Sequence, residues 1–222
     1  MLSLSSCGPK TTAWEAVSPD GNVKFIAQNT ADGDSRRLEY KILYKDSAAI
    51  DFSDLGLTMN GYNYGANAKF KDIQRQSIDE AYTLKSGKKT STRNRCEEMT
   101  LTFSDDDAKE FQLIVRVFDD GAAFRYGFPE TSADTCTITE EMTEFVIADD
   151  GKAWIHPYDW NERHKPSYEQ YSENGIAINT PSPNEKGWAF PMLFEAGDKW
   201  MMITEAYLDG TYPATHVDNS GR

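Results

Sequence analysis

Only three histidines, His156, His164 and His216, occur in this 222-residue sequence, and none has a spacing partner that suggests a ligand pair. A GxSxG elbow, a GxxxxGK(S/T) phosphate cradle, an HExxH pair and a GxGxxG turn are all missing. Carboxylates are plentiful instead, with 36 Asp and Glu against 23 Lys and Arg. One of them is better placed than the rest. Glu205 follows the apolar run 200–204, where a strand emerges toward Ala206-Tyr207-Leu208-Asp209-Gly210. A strand end holds a carboxylate rigidly, and hard cations such as Ca2+ take oxygen ligands of that kind. A plain solvent-facing glutamate fits the same position.

Aromatic side chains are the second chemical resource. Trp160 sits in Pro157-Tyr158-Asp159-Trp160-Asn161-Glu162-Arg163-His164-Lys165-Pro166, a polar, aromatic segment bracketed by prolines. Loops carry contacts that strands only position, so Trp160 is the candidate to stack on a sugar ring; anchoring the loop is its other use. Trp154 and Trp200 lie in strand-like runs and read as core.

The cysteines divide by position. Leu4-Ser5-Ser6-Cys7 reads like the end of a bacterial lipoprotein signal, with Cys7 as the acylated residue, although the basic start and most of the apolar stretch are missing. Residues 1–13 then form a signal remnant and flexible tail, and a polar tail with a chance cysteine is the other reading. The lipoprotein reading makes the protein exported, periplasmic or held at the outer membrane, with the lipid as its one tie to a membrane. No stretch approaches the ~20 apolar residues that span a bilayer. Cys96 and Cys136 pair in one disulfide or remain two thiols; no CxxC or zinc spacing is present. A formal net charge of −13 repels phosphate backbones and argues against a nucleic-acid partner.

What positions these residues is a succession of short strands. Val23-Lys24-Phe25-Ile26-Ala27 follows the turn signal Ser18-Pro19-Asp20-Gly21-Asn22, and Leu38-Glu39-Tyr40-Lys41-Ile42-Leu43-Tyr44 alternates before Lys45-Asp46. Residues 111–118 turn at Asp119-Asp120-Gly121 into Ala122-Ala123-Phe124-Arg125-Tyr126-Gly127-Phe128, which predicts a hairpin. Further runs cover 99–103, 145–148, 153–156 and 199–205. No segment sustains a helical period over ten residues with caps. The pattern predicts an all-β sandwich or barrel, with 14–222 as one domain.

Five stretches resemble a known family. Ser18-Pro19-Asp20-Gly21-Asn22, the run 38–44 and Ile50-Asp51-Phe52-Ser53-Asp54-Leu55-Gly56-Leu57 look like the opening of family 97 glycoside hydrolases. Arg116-Val117-Phe118-Asp119-Asp120-Gly121-Ala122-Ala123-Phe124-Arg125-Tyr126 is similar to that family's R-x-x-D-D-G-x-A-F-R-Y hairpin. Ile203-Thr204-Glu205-Ala206 resembles a later strand that ends in Glu-Ala. The resemblance implies a β-super-sandwich akin to the galactose mutarotase fold, lacking its last strands here. It also implies an exported α-glucosidase or α-galactosidase whose (β/α)8 barrel follows this domain. In such enzymes a calcium ion in the active site is held mainly by barrel glutamates, and the ligand from the N-terminal domain matches Glu205. The expected partners are that barrel and an oligosaccharide substrate. A barrel needs about 250 residues of its own, so hydrolysis by this polypeptide alone is not expected. A free-standing carbohydrate-binding module, with Trp160 and Tyr158 as its platform, is the competing reading, and a structural lipoprotein domain the third.

Overall fold

The computed structural model describes residues 9–33, 35–66, 68–104, 109–129, 135–158, 170–208 and 215–218. All regular elements among them are strands: β1 (Lys10–Val17), β2 (Val23–Asp32), β3 (Ser35–Tyr44), β4 (Ser47–Asp54), β5 (Leu57–Met59), β6 (Tyr62–Tyr64), β7 (Lys69–Thr83), β8 (Ser91–Ser104) and β9 (Glu110–Phe118). There follow β10 (Gly121–Gly127), β11 (Ile138–Glu141), β12 (Val146–Ile147), β13 (Gly151–Pro157), β14 (Glu173–Ala177), β15 (Trp188–Ala196), β16 (Lys199–Ile203) and β17 (His216–Val217). The fold is an all-β sandwich, as the alternation predicts. The chain divides into two compact units, Met1–Val146 and Ile147–Arg222.

In the first unit, one antiparallel sheet runs β1-β2-β3-β4 with β12 beyond, and a second runs β10-β9-β8-β7. Every second residue of β2 points inward, so Val23, Phe25 and Ala27 are buried while their neighbours are not. Across the layer, Phe111, Leu113, Val115 and Val117 of β9 and Met99, Leu101 and Phe103 of β8 are buried in the same rhythm. Aromatic rings join the two sheets. Phe25 stacks on Tyr40 at 5.3 Å, and both meet Phe124 of β10 at 5.8 and 5.0 Å. The Tyr40 hydroxyl donates to the carbonyl of Glu144 at 2.7 Å, which spares its polar end the cost of burial.

The turns obey local chemistry. Lys45-Asp46 and Asn60-Gly61 each close a two-residue hairpin with both residues at positive φ, the geometry that matches the twist of antiparallel strands. At the 18–22 turn the Asp20 carboxylate accepts Ser18 Oγ at 2.6 Å and the backbone and side-chain amides of Asn22; these bonds hold its pKa at about 2. The predicted hairpin around 119–121 is present, but Gly121 already pairs with Phe118, so Asp119-Asp120 form the loop.

The β7–β8 hairpin is longer than its supporting sheet. β8 pairs with β9 only from Glu97 onward, so among the described residues Ser91 to Cys96 have β7 as their sole partner strand. Side chains of β7 are exposed along nearly its whole length. The ribbon is laced instead by Arg93, which grips Asp79 through two bonds of 2.6 and 2.5 Å, and by Ser77 on Glu97 at 2.7 Å. Cys96 is buried on this strand and Cys136 is exposed; the two do not form a disulfide.

The second unit is one antiparallel sheet in the order β14-β13-β15-β16, with β17 beside β15. Its inward face carries Ala153, Ile155, Trp188, Met192 and Phe194, a single apolar cluster. Its other face carries an apolar row beside the charged pair Lys152 and Glu195. Trp154 lies opposite Leu193 and Leu193 opposite Met202, and the ring of Trp154 meets that of Trp200 at 4.9 Å. Trp200 is 59% exposed, which corrects its assignment to the core. The reason is parity: β16 turns Met201 and Ile203 inward, so Trp200 and Met202 must face out.

Candidate functional site around Glu205

Glu205 stands two residues beyond the end of β16, slightly later than a strand running to 205 would put it. What fixes it is a contact across the sequence. Its carboxylate accepts the Thr215 backbone N–H at 3.1 and 3.2 Å, and the Thr215 hydroxyl donates to Oε1 at 2.7 Å. Bonds to an ionised acceptor are the stronger sort, and two donors from one residue hold the carboxylate plane in place. Three acceptances leave part of the roughly four lone-pair directions of a carboxylate unused. Glu205 is half-buried, so those directions remain reachable.

Thr215 is placed in turn by β17. Val217 pairs with Trp188 and His216 with Ala189, on the flank of β15. This approach depends on Gly187, whose φ is +85°: a Cβ there would come within 2.3 Å of the Val217 carbonyl oxygen. The His216 ring stacks on Tyr158 at 3.9 Å and 7°. Tyr158 is held on its other sides by the 182–187 turn. Its N–H donates to the Gly187 carbonyl at 2.9 Å, and Asn184 Nδ2 donates to its carbonyl at 2.7 Å. Ser182 and Asn184 brace that turn, since the Gly187 N–H donates to Ser182 Oγ and the Lys186 N–H to Asn184 Oδ1. Glu205, Thr215, His216 and Tyr158 are thus joined by one chain of contacts that starts at a glycine.

Two polar atoms nearby lack partners among the described residues. Nε2 of His156 and Nε1 of Trp188, on paired strands β13 and β15, are buried with no hydrogen bond. Burial lowers the pKa of His156, because an uncompensated imidazolium is costly where water is excluded. His156 is therefore neutral at physiological pH.

Among the described residues, no group of three or more His, Cys, Asp or Glu stands together as a cation site. Glu205 fits a hard cation by type and by preorganisation, but it can supply only one ligand of the six to eight oxygens that Ca2+ prefers. Tyr158 is buried, at 6% exposure, which removes it as an exposed stacking platform. Trp160, His164 and Cys7 lie outside the described residues. Thr215 carries no sequence signal that links it to Glu205, and Gly187 is marked only by the turn-like run Pro181-Ser182-Pro183-Asn184 before it.

Residues 16–222 match a family described as Glycosyl-hydrolase 97 N-terminal. A protein of Streptomyces bingchenggensis named probable retaining alpha-galactosidase is 26% identical over 206 residues, covering 93% of this chain and 31% of the relative. A retaining alpha-galactosidase of Bacteroides thetaiotaomicron is 28% identical over 215 residues, covering 92% of this chain and 30% of the relative. A crystal structure of a beta-arabinopyranosidase superposes with a TM-score of 0.83 at 24% identity, over 94% of this chain and 34% of that one, and so shares the fold. This chain spans about a third of the length of the curated relatives it matches.

Proposed function

The chain belongs to the glycosyl-hydrolase 97 N-terminal family, and from that premise we propose that it serves as the N-terminal domain of an exported, calcium-dependent α-galactosidase and gives that enzyme one calcium ligand, Glu205. The observation that carries the proposal is the double anchoring of the Glu205 carboxylate by Thr215. A lone, preoriented carboxylate suits a shared site better than a site of its own, because the missing oxygens must come from another part of the enzyme. In the family resemblance that part is the catalytic barrel, which would also hold the acid and the nucleophile. When bound, the ion would supply electrophilic stabilisation of charge on the sugar; this chain's share is to hold Glu205 in place and to close one wall of the pocket.

The printed names of the two curated relatives favour an α-galactoside over an α-glucoside. The exposed outer face of Trp200 and Met202 gives such a domain an apolar surface to lay against a barrel. Export rests on the Leu4-Ser5-Ser6-Cys7 pattern, with acylation at Cys7 as the anchor.

The decisive experiment uses the full-length enzyme. Glu205→Gln keeps the shape and most of the Thr215 contact but removes the charge. It is expected to weaken calcium binding by at least about tenfold, the smaller of the losses seen even for residues one layer further from a metal. Activity should fall with it at limiting calcium and recover at excess calcium. An unchanged calcium titration removes Glu205 from the site.

A further inference from the structure

At one end of the first unit's sandwich, the alternation that builds the core places cations where apolar residues would be expected. In the ladders β1-β2-β3, Trp14 pairs with Ala27 and Ala27 with Tyr40; Thr12 pairs with Asn29 and Asn29 with Leu38; Lys10 pairs with Ala31 and Ala31 with Arg36. Paired residues share a face. The face that buries Ala27, Leu38 and Tyr40 in the core therefore ends in Lys10 and Arg36. From the opposing sheet Phe70 covers this end, with its ring 4.6 Å from that of Trp14 and tilted by 32°. Between them lies a cavity of about 140 Å3 lined by Lys10, Thr12, Trp14, Asn29, Arg36 and Phe70.

The charges here stand without acids, whereas elsewhere on this chain of net charge −13 Lys24 pairs with Asp46, Lys41 with Asp51 and Arg37 with Asp54. Neither the Lys10 nor the Arg36 side chain has an ion pair or hydrogen bond among the described residues. Arg36 is half-buried. The remaining lining is suited to a sugar. Trp14 and Phe70 offer an apolar face for a pyranose ring, and Thr12 and Asn29 offer hydroxyl-sized polar partners. Asn29 is held by its own bond from Nδ2 to the Ala68 carbonyl at 2.7 Å. The volume is small beside the ~300–1,000 Å3 of typical ligand pockets, which suits a single ring and not a chain.

We propose that this cavity is a binding site for one carboxylate-bearing sugar, a hexuronate at the end of a glycan, with Arg36 and Lys10 on the carboxylate and Trp14 and Phe70 against the ring. Arg36 gives a planar fork that matches a carboxylate, and Lys10 adds a second point charge. The site lies wholly within the first unit and is independent of the calcium reading of Glu205.

The test titrates the whole chain with trigalacturonate, glucuronate, glucose and maltotriose, read by calorimetry and by tryptophan fluorescence. The two acidic sugars are expected to bind and to weaken as salt is raised, because screening reduces charge attraction. Arg36→Gln should weaken them by about tenfold or more, as for loss of a bond to a charged group, while the thermal midpoint stays near that of the parent. Phe70→Ala should weaken them without removing the salt dependence. Neutral sugars binding as well as acidic ones would overturn the proposal. So would no binding by any of the four.

Discussion

In the first unit, Phe25, Tyr40, Leu113 and Val115 are sealed between two sheets. In the second, the sheet that buries Met192 and Phe194 on one face leaves Trp200 59% and Met202 63% exposed on the other. The same period-2 alternation operates in both. The difference is whether the second face of the sheet has been given a polar side. In the first unit β2 alternates apolar and mixed positions; in the second β16 reads Lys-Trp-Met-Met-Ile and is apolar in both directions. The second unit turns an apolar row outward, and exposed apolar patches mark contact surfaces.

The contrast can be broken most severely from the closed side. Phe25→Ala removes a fully buried ring that touches both Tyr40 and Phe124, and should cost about 3–5 kcal/mol in denaturant unfolding. A loss below 1 kcal/mol would mean that the first core is not the closed one described. Next comes Gly187→Ala. Its Cβ would meet the Val217 carbonyl at 2.3 Å in a backbone conformation unfavourable to alanine, so a loss of about 1–3 kcal/mol is expected. Hydrogen exchange at Thr215 should rise with it, since the Thr215 N–H is bound to Glu205. Global destabilisation with Thr215 still protected would disconnect that glycine from the site.

A smaller effect sharpens the second unit alone. Burial keeps the folded pKa of His156 below 6.5, whereas the unfolded chain takes up a proton near that value. The associated stability is therefore present above about pH 6.5 and is lost as pH falls through it toward the folded pKa. Because Nε2 makes no hydrogen bond among the described residues, His156→Phe should change stability at pH 8 by no more than about 0.5 kcal/mol and flatten the decline between pH 7 and 5. A variant with the parent's slope assigns that decline elsewhere. The smallest change belongs to the open face: Trp200→Ser on this chain should stay within about 0.5 kcal/mol of the parent. In a full-length enzyme the same variant should lower the melting temperature if that face is covered there.

Much of this was legible in the sequence, and the exceptions have physical causes. The 111–128 hairpin was readable because its inward residues are apolar and its outward ones polar. Strand β7 was not, because a strand exposed on both faces has no apolar period to detect. Trp200 misled because an apolar run does not say which parity faces the core. Glu205 could be picked out by its place after β16, but not its anchor: Thr215 lies ten residues on, and only the folding of β17 against β15 brings it back. Lys10 and Arg36 look like ordinary surface cations until the ladder register puts them in the row behind Ala27 and Tyr40.

The unsupported end of the β7–β8 ribbon has a consequence for the covalent integrity of the chain. Its connecting loop holds Lys85, Lys88 and Lys89 within six residues of one another, all exposed, closed by a single backbone bond from Leu84 to Thr90. A protease that cleaves after lysine needs several residues of backbone it can pull straight, and this loop offers them while the ladders on either side do not. One cut there leaves every rung between β7 and β8 in place. The severed halves would travel as one particle through a sizing column and separate only when denatured.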